Sequence, residues 1–129
     1  MAGELILVVD DNAMNLKLAR VLLTGEGYEI RCADDAISAL EVLNTFHPRL
    51  ILMDIQLPGI DGLELTQRLK ANPATAKIIV LALTAYAMKG DQERAIAAGC
   101  DGYIAKPLDT HTLPALIRSY LDECAASTS

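Results

Sequence analysis

The sequence predicts an α/β domain: a parallel sheet, doubly wound, with helices packed on both faces. Three observations carry this expectation. Leu5–Val9, Leu50–Met53 and Ile78–Leu83 are apolar almost throughout and too short for helices. Such runs suit strands buried on both faces. Helical periodicity fills the intervals between them, so strand and helix alternate about five times along 129 residues. Consecutive parallel strands require crossovers of this kind. Turn and cap residues also fall at the junctions, among them Gly25, Gly27, Pro48, Pro73 and Gly99.

Taken in order, strand one is Leu5–Val9. Helix one follows, with Met14, Leu18, Val21 and Leu22 spaced for one apolar face, which predicts Met14 as a core residue. Gly25 and Gly27 stop it. Tyr28, Ile30 and Cys32 alternate as strand two. Asp34 or Asp35 can cap helix two, where Ala36, Leu40 and Leu43 share a face. His47-Pro48 ends that helix before strand three, Leu50–Met53. The loop from Gln56 through Pro58, Gly59 and Asp61 to Gly62 is rich in turn residues. Helix three covers about Leu63–Ala71 and stops at Asn72-Pro73. Strand four is Ile78–Leu83, helix four about Asp91–Ala98, and strand five Tyr103–Ala105. Helix five lies between Asp109 and Cys124, with Leu113, Leu116, Ile117, Tyr120 and Leu121 facing inward. Pro114 is tolerable there only if the helix starts near Thr112. Five strands and five helices match the flavodoxin-like doubly wound (βα)5 fold, a three-layer sandwich of strand order 2-1-3-4-5. Its switch point lies between strands one and three.

The length suits one domain, residues 1–124, followed by the short polar tail 125–129. The formal net charge is −6 and the pI about 4.7, which argues against nucleic-acid and anionic-membrane surfaces. The N-terminus has no basic region, and its apolar run is too short for a signal peptide or a span. Cys32, Cys100 and Cys124 are odd in number and lack C-x-x-C spacing, so they suit buried thiols in a reducing cytosol. The expected location is therefore cytoplasmic.

The strand ends carry the chemistry. Strand one ends in Asp10-Asp11 and strand three in Asp54, the strands flanking the switch point, where open α/β sheets place their ligands. Strand four leads to Thr84 and strand five to Lys106. Three acids on one edge repel one another unless a cation sits among them. Hard carboxylate oxygens favour Mg²⁺, for which Mn²⁺ can substitute. Each group then has a place in phosphoryl transfer to a carboxylate. The metal screens anionic repulsion, Lys106 neutralises the transferring oxygens, and Thr84 donates a hydrogen bond to them. Asp54, single and central, is the natural nucleophile.

With Asp10-Asp11, the stretch Asp54-Ile-Gln-Leu-Pro-Gly-Ile-Asp-Gly62, Leu83-Thr84-Ala85 and Gly102-Tyr103-Ile-Ala-Lys106-Pro107, the chain resembles the receiver domains of two-component response regulators, the CheY-like family. The resemblance covers residues 5–121. It implies that Asp54 accepts a phosphoryl group from a phosphohistidine. It implies that Asp11, Asp54 and the backbone carbonyl of Gln56 bind Mg²⁺, with Asp10 helping partly through water. Lys106 would pair with the phosphate, and the Lys106–Pro107 bond is expected to be cis. Thr84 would move toward the phosphoryl group while Tyr103 turns inward, altering the face of helix four, strand five and helix five. Gln56 and Tyr86 occupy the positions that tune acyl-phosphate lifetime, Tyr86 by shielding the group from water.

The resemblance also implies a sensor histidine kinase or histidine phosphotransfer protein as donor and a downstream protein as target, without direct DNA binding or membrane attachment. The chain ends just after helix five, which suits a stand-alone regulator that is a phosphoacceptor assisting its own chemistry rather than an enzyme. A phosphate shuttle to a histidine phosphotransfer protein, or a receiver excised from a hybrid kinase, is the alternative. The stretch 85–91 resembles receivers of hybrid kinases and of single-domain cell-cycle regulators.

Other readings fare worse. Aspartyl-nucleophile phosphatases need Asp-x-Asp where this chain has Asp10-Asp11-Asn12, and a flavin phosphate would be repelled there. The glycine-rich nucleotide motifs do not occur. Taken singly, Asp10-Asp11 could be a solvated strand end or a cap, and Tyr103 a half-buried edge tyrosine. His47 and His111 do not lie on an exposed helix face of the phosphotransfer type.

Overall fold

The computed structural model describes residues 4–55, 62–84, 89–105 and 111–127. Its elements alternate throughout: β1 Leu5–Val9, α1 Ala13–Gly25, β2 Glu29–Ala33, α2 Ala36–Leu43, β3 Leu50–Asp54, α3 Gly62–Ala71, β4 Ile79–Thr84, α4 Lys89–Ala98, β5 Gly102–Ala105 and α5 Leu113–Ser127. Among the described residues the strands form one five-stranded parallel sheet of order β2-β1-β3-β4-β5, the expected flavodoxin-like arrangement.

Alternation along the strands splits the core into two layers. Leu7, Val9, Ile51, Met53, Val80 and Ala82 face α2, α3 and α4. Ile6, Val8, Leu50, Leu52, Leu81 and Leu83 face α1 and α5, represented by Ala19, Leu23, Leu113, Ile117 and Leu121. All residues of β3 and β4 are buried, as strands covered on both faces must be. At the opposite end of the sheet from the acids, Arg49 donates to Glu4 Oε1 at 2.8 Å, and Arg118 lies 3.6 Å from Oε2 while stacking over Tyr28.

The expected core assignment of Met14 is corrected: it is 74 % exposed, and Val21 is 63 % exposed. The buried line of α1 is Ala19 and Leu23, with Leu16, Leu18 and Leu22 flanking it. The apolar spacing finds residues that share a face. In the folded chain the side carrying Ala19 and Leu23 turns to the sheet. Tyr28 precedes β2 rather than opening it, and is buried beneath the Arg118 guanidinium. Asp35, not Asp34, caps α2 by accepting from the Ser38 N–H at 2.7 Å, a bond that holds its carboxyl below the usual carboxylate range. α5 starts at Leu113, so Pro114 falls in the first turn where no intrahelical donor is lost. That helix continues to Ser127, past the expected end at Cys124 and into the segment read as a tail.

Candidate functional site

The site is built on the carboxyl ends of β1, β3 and β4. The Asp10 N–H donates to the Ala33 carbonyl at 3.1 Å, carrying the β1–β2 pairing one residue past β1. The chain then turns sharply. Asp10 Oδ1 accepts from the Asn12 N–H at 2.9 Å, an Asx-type turn. Asn12 in turn caps α1, its Oδ1 accepting from the N–H groups of Met14 at 2.8 Å and Asn15 at 3.2 Å. Asp11, at the apex between these bonds, is exposed. The Asn15 side-chain amide reaches back and donates to Asp10 Oδ2 at 3.2 Å.

Asp54 ends β3, opposite Leu83 of β4. The Ile55 N–H donates to the Leu83 carbonyl at 3.2 Å, so the pairing outlasts the acid and fixes its backbone. Gly62 opens α3 directly against this backbone. A Cβ there would collide with the Asp54 carbonyl oxygen and lie 2.9 Å from its carbonyl carbon. The first turn of α3 is held in turn by buried Thr66, whose hydroxyl donates to the Gly62 carbonyl at 2.8 Å. Cys100 packs against that hydroxyl, its thiol pushed up in pKa by burial.

These turns bring carboxylate oxygens of Asp10, Asp11 and Asp54 within 4.8 Å of one another. Asp10 is fully buried and Asp54 is 3 % exposed, whereas Asp11 faces solvent. Close like charges with so little water are unfavourable without a counter-charge. The donor set is all oxygen and anionic, which fits a hard divalent cation such as Mg²⁺. Asp10, Asp11 and Asp54 are the residues that could hold it.

Thr84 ends β4 and is buried, next to the residue that faces Asp54 and opposite Ala105. It therefore shares the edge of the acids. Tyr103 lies further back on β5, opposite Ala82, half-buried against the layer that contains α4. Gln56, Tyr86, Lys106 and Pro107 lie outside the described residues, so their expected roles are not addressed by this geometry. His47 and His111 are exposed in the segments before β3 and α5, away from helix faces. Asn12 and Asn15 were not among the expected site residues. Asn12 carries a legible signal, a cap residue just before a periodic apolar run. Asn15 carries none, because its amide meets Asp10 only once α1 has turned back over the strand end.

Known proteins with this pattern are informative. The family model described as response regulator receiver domain matches residues 6–118. The polar-differentiation response regulator DivK of Brucella ovis is 44 % identical over 118 residues, spanning 92 % of this chain and 96 % of that one. Among solved structures, a CheY-like receiver domain protein from Methanospirillum hungatei superposes with a TM-score of 0.89 at 30 % identity, covering 98 % of this chain and 99 % of that one. The receiver domain of a sensor histidine kinase from Pseudomonas aeruginosa, solved with a magnesium ion coordinated in its active-site cleft, gives 0.84 at 32 % identity, covering 94 % and 99 %.

Proposed function

The chain belongs to the response regulator receiver domain family of two-component signalling, and from that premise we propose that Asp54 is its phosphoryl acceptor. One observation carries the reading: a buried carboxylate at the end of the central strand, with the acid pair Asp10 and Asp11 within 4.8 Å. Both Asp10 oxygens are oriented by donors of its own turn and helix. Asp11 is exposed at the apex. Asp54 alone combines burial with a place between the acid pair and Thr84.

The donor is a phosphohistidine of a sensor kinase or phosphotransfer protein. An Asp54 carboxylate oxygen attacks phosphorus, an acyl phosphate forms, and the phosphorus–nitrogen bond to the imidazole breaks. Asp10, Asp11, Asp54 and the Gln56 carbonyl would hold Mg²⁺, which when bound screens the repulsion between acceptor and phosphoryl oxygens. Lys106 would pair with the phosphoryl oxygens as a further positive charge. Thr84 donates to a phosphoryl oxygen. The chain then acts as a phosphoacceptor that assists its own phosphorylation and dephosphorylation, not as an enzyme turning over a separate substrate.

Withdrawal of Thr84 toward the phosphoryl group leaves room for Tyr103 to turn inward, which changes the face formed by α4, β5 and α5. α4, one element of that face, carries Ile96, 53 % exposed.

Incubation with Mg²⁺ and acetyl phosphate, followed by intact-mass measurement, tests the acceptor. One phosphoryl group is expected on the wild type and none on Asp54→Asn or after chelation of the metal. A wild type without adduct, or Asp54→Asn with undiminished adduct, overturns the reading.

A further inference from the structure

We propose that Asn15 is a positioning residue for the metal side of this site: its side-chain amide holds the Asp10 carboxylate in the orientation that receives a divalent cation. The inference rests on the cation-binding reading above and goes one residue beyond it. Asp10 is completely buried, so its carboxylate depends on protein donors for its orientation. The Asn12 N–H on Oδ1 comes from Asp10's own turn. Rotation about the Cβ–Cγ bond is a broad and roughly two-fold torsion, which a bond to one oxygen restrains less than bonds to both. The Asn15 amide on Oδ2, at 3.2 Å, pins the second oxygen and with it the carboxylate plane.

Asn15 is itself held. Its backbone N–H is bound by the Asn12 cap, so the first turn of α1 fixes where its side chain starts. Turn, cap and amide thus form a closed loop of three bonds running from Asp10 through Asn12 and Asn15 back to Asp10. A carboxylate has about four lone-pair directions, and the Asn12 and Asn15 donors occupy two of them. The choice of an amide also matters. A lysine or arginine at this position would orient Asp10 equally well but would cancel the charge that attracts the metal. A neutral donor orients and leaves the charge in place. Partners of this kind, outside the ligand set, commonly govern metal affinity.

The test is Mg²⁺ titration of the full, unphosphorylated chain by calorimetry, with phosphorylation by acetyl phosphate followed against Mg²⁺ concentration. Asn15→Leu keeps the branching of the side chain and the capped backbone N–H but loses the amide. It should raise the Mg²⁺ dissociation constant about tenfold. The half-saturating Mg²⁺ for phosphorylation should rise by the same factor, with an unchanged rate at saturation. Asn15→Gln, which keeps the donor on a longer arm, should recover part of the affinity. A merely structural role would lower the melting temperature and leave Mg²⁺ affinity alone; that result overturns the proposal. Asn15→Ala serves if the leucine variant fails to fold, and wild-type affinity in it is equally fatal. Failure of the wild type to bind Mg²⁺ would instead bring down the cation-binding reading, and this inference with it.

Discussion

Gly62 shows how narrowly the acceptor is placed. The atoms a Cβ would strike are the Asp54 carbonyl group and Ile55 Cα, all backbone of the strand end, and none can yield without moving Asp54. Gly25, at the end of α1, has open space around it and no left-handed backbone. Two alanine substitutions should therefore diverge. Gly62→Ala is expected to cost about 1–3 kcal/mol, as overpacking does, and to slow phosphoryl uptake at Asp54. Gly25→Ala should be neutral or slightly stabilising. Urea unfolding and the acetyl phosphate mass assay read the two effects separately. Equal behaviour of the two variants would refute the steric account.

At the scale of elements, α1 does more than cover the sheet. Its cap and its first turn each supply a donor to Asp10, and Asn12 is the joint between helix and site. Asn12→Ala removes both cap bonds and should destabilise the protein by about 1 kcal/mol. Asn12→Ser retains an acceptor and should lose less. Because Asn12 also fixes the Asn15 backbone, the alanine variant should weaken Mg²⁺ binding as well, whereas loss of the Asp35 cap on α2 should affect stability only. Denaturation midpoints and Mg²⁺ titration of the variants check this.

Across the whole molecule, the sheet is clamped between two apolar layers while the acids gather at one edge. Stability and chemistry are therefore separable. Leu52→Ala, at the centre of the α1/α5 layer, should cost about 2–5 kcal/mol through lost contacts and a cavity. Met14→Ser, at a position 74 % exposed, should stay within about 0.5 kcal/mol of wild type. Both are measured by urea unfolding. A large effect at Met14 would contradict the observed orientation of α1.

The order of strands, both layers and the acid cluster were legible in the chain because they depend on local signals. Uniformly apolar runs announce buried strands, crossovers make them parallel, and acids at strand ends 1 and 3 must meet at the switch point. The rotation of α1 was not legible. Met14 and Val21 fit the apolar period as well as their neighbours do, and only packing against the sheet selects the side of Ala19 and Leu23 as the buried one. The bond from Asn15 to Asp10 and the contact of Gly62 with Asp54 belong to the same class. They join residues whose side chains or backbones meet only after helix and strand have docked. Periodicity along a chain specifies which residues share a face; the direction that face turns, and what it then touches, is set by packing in three dimensions.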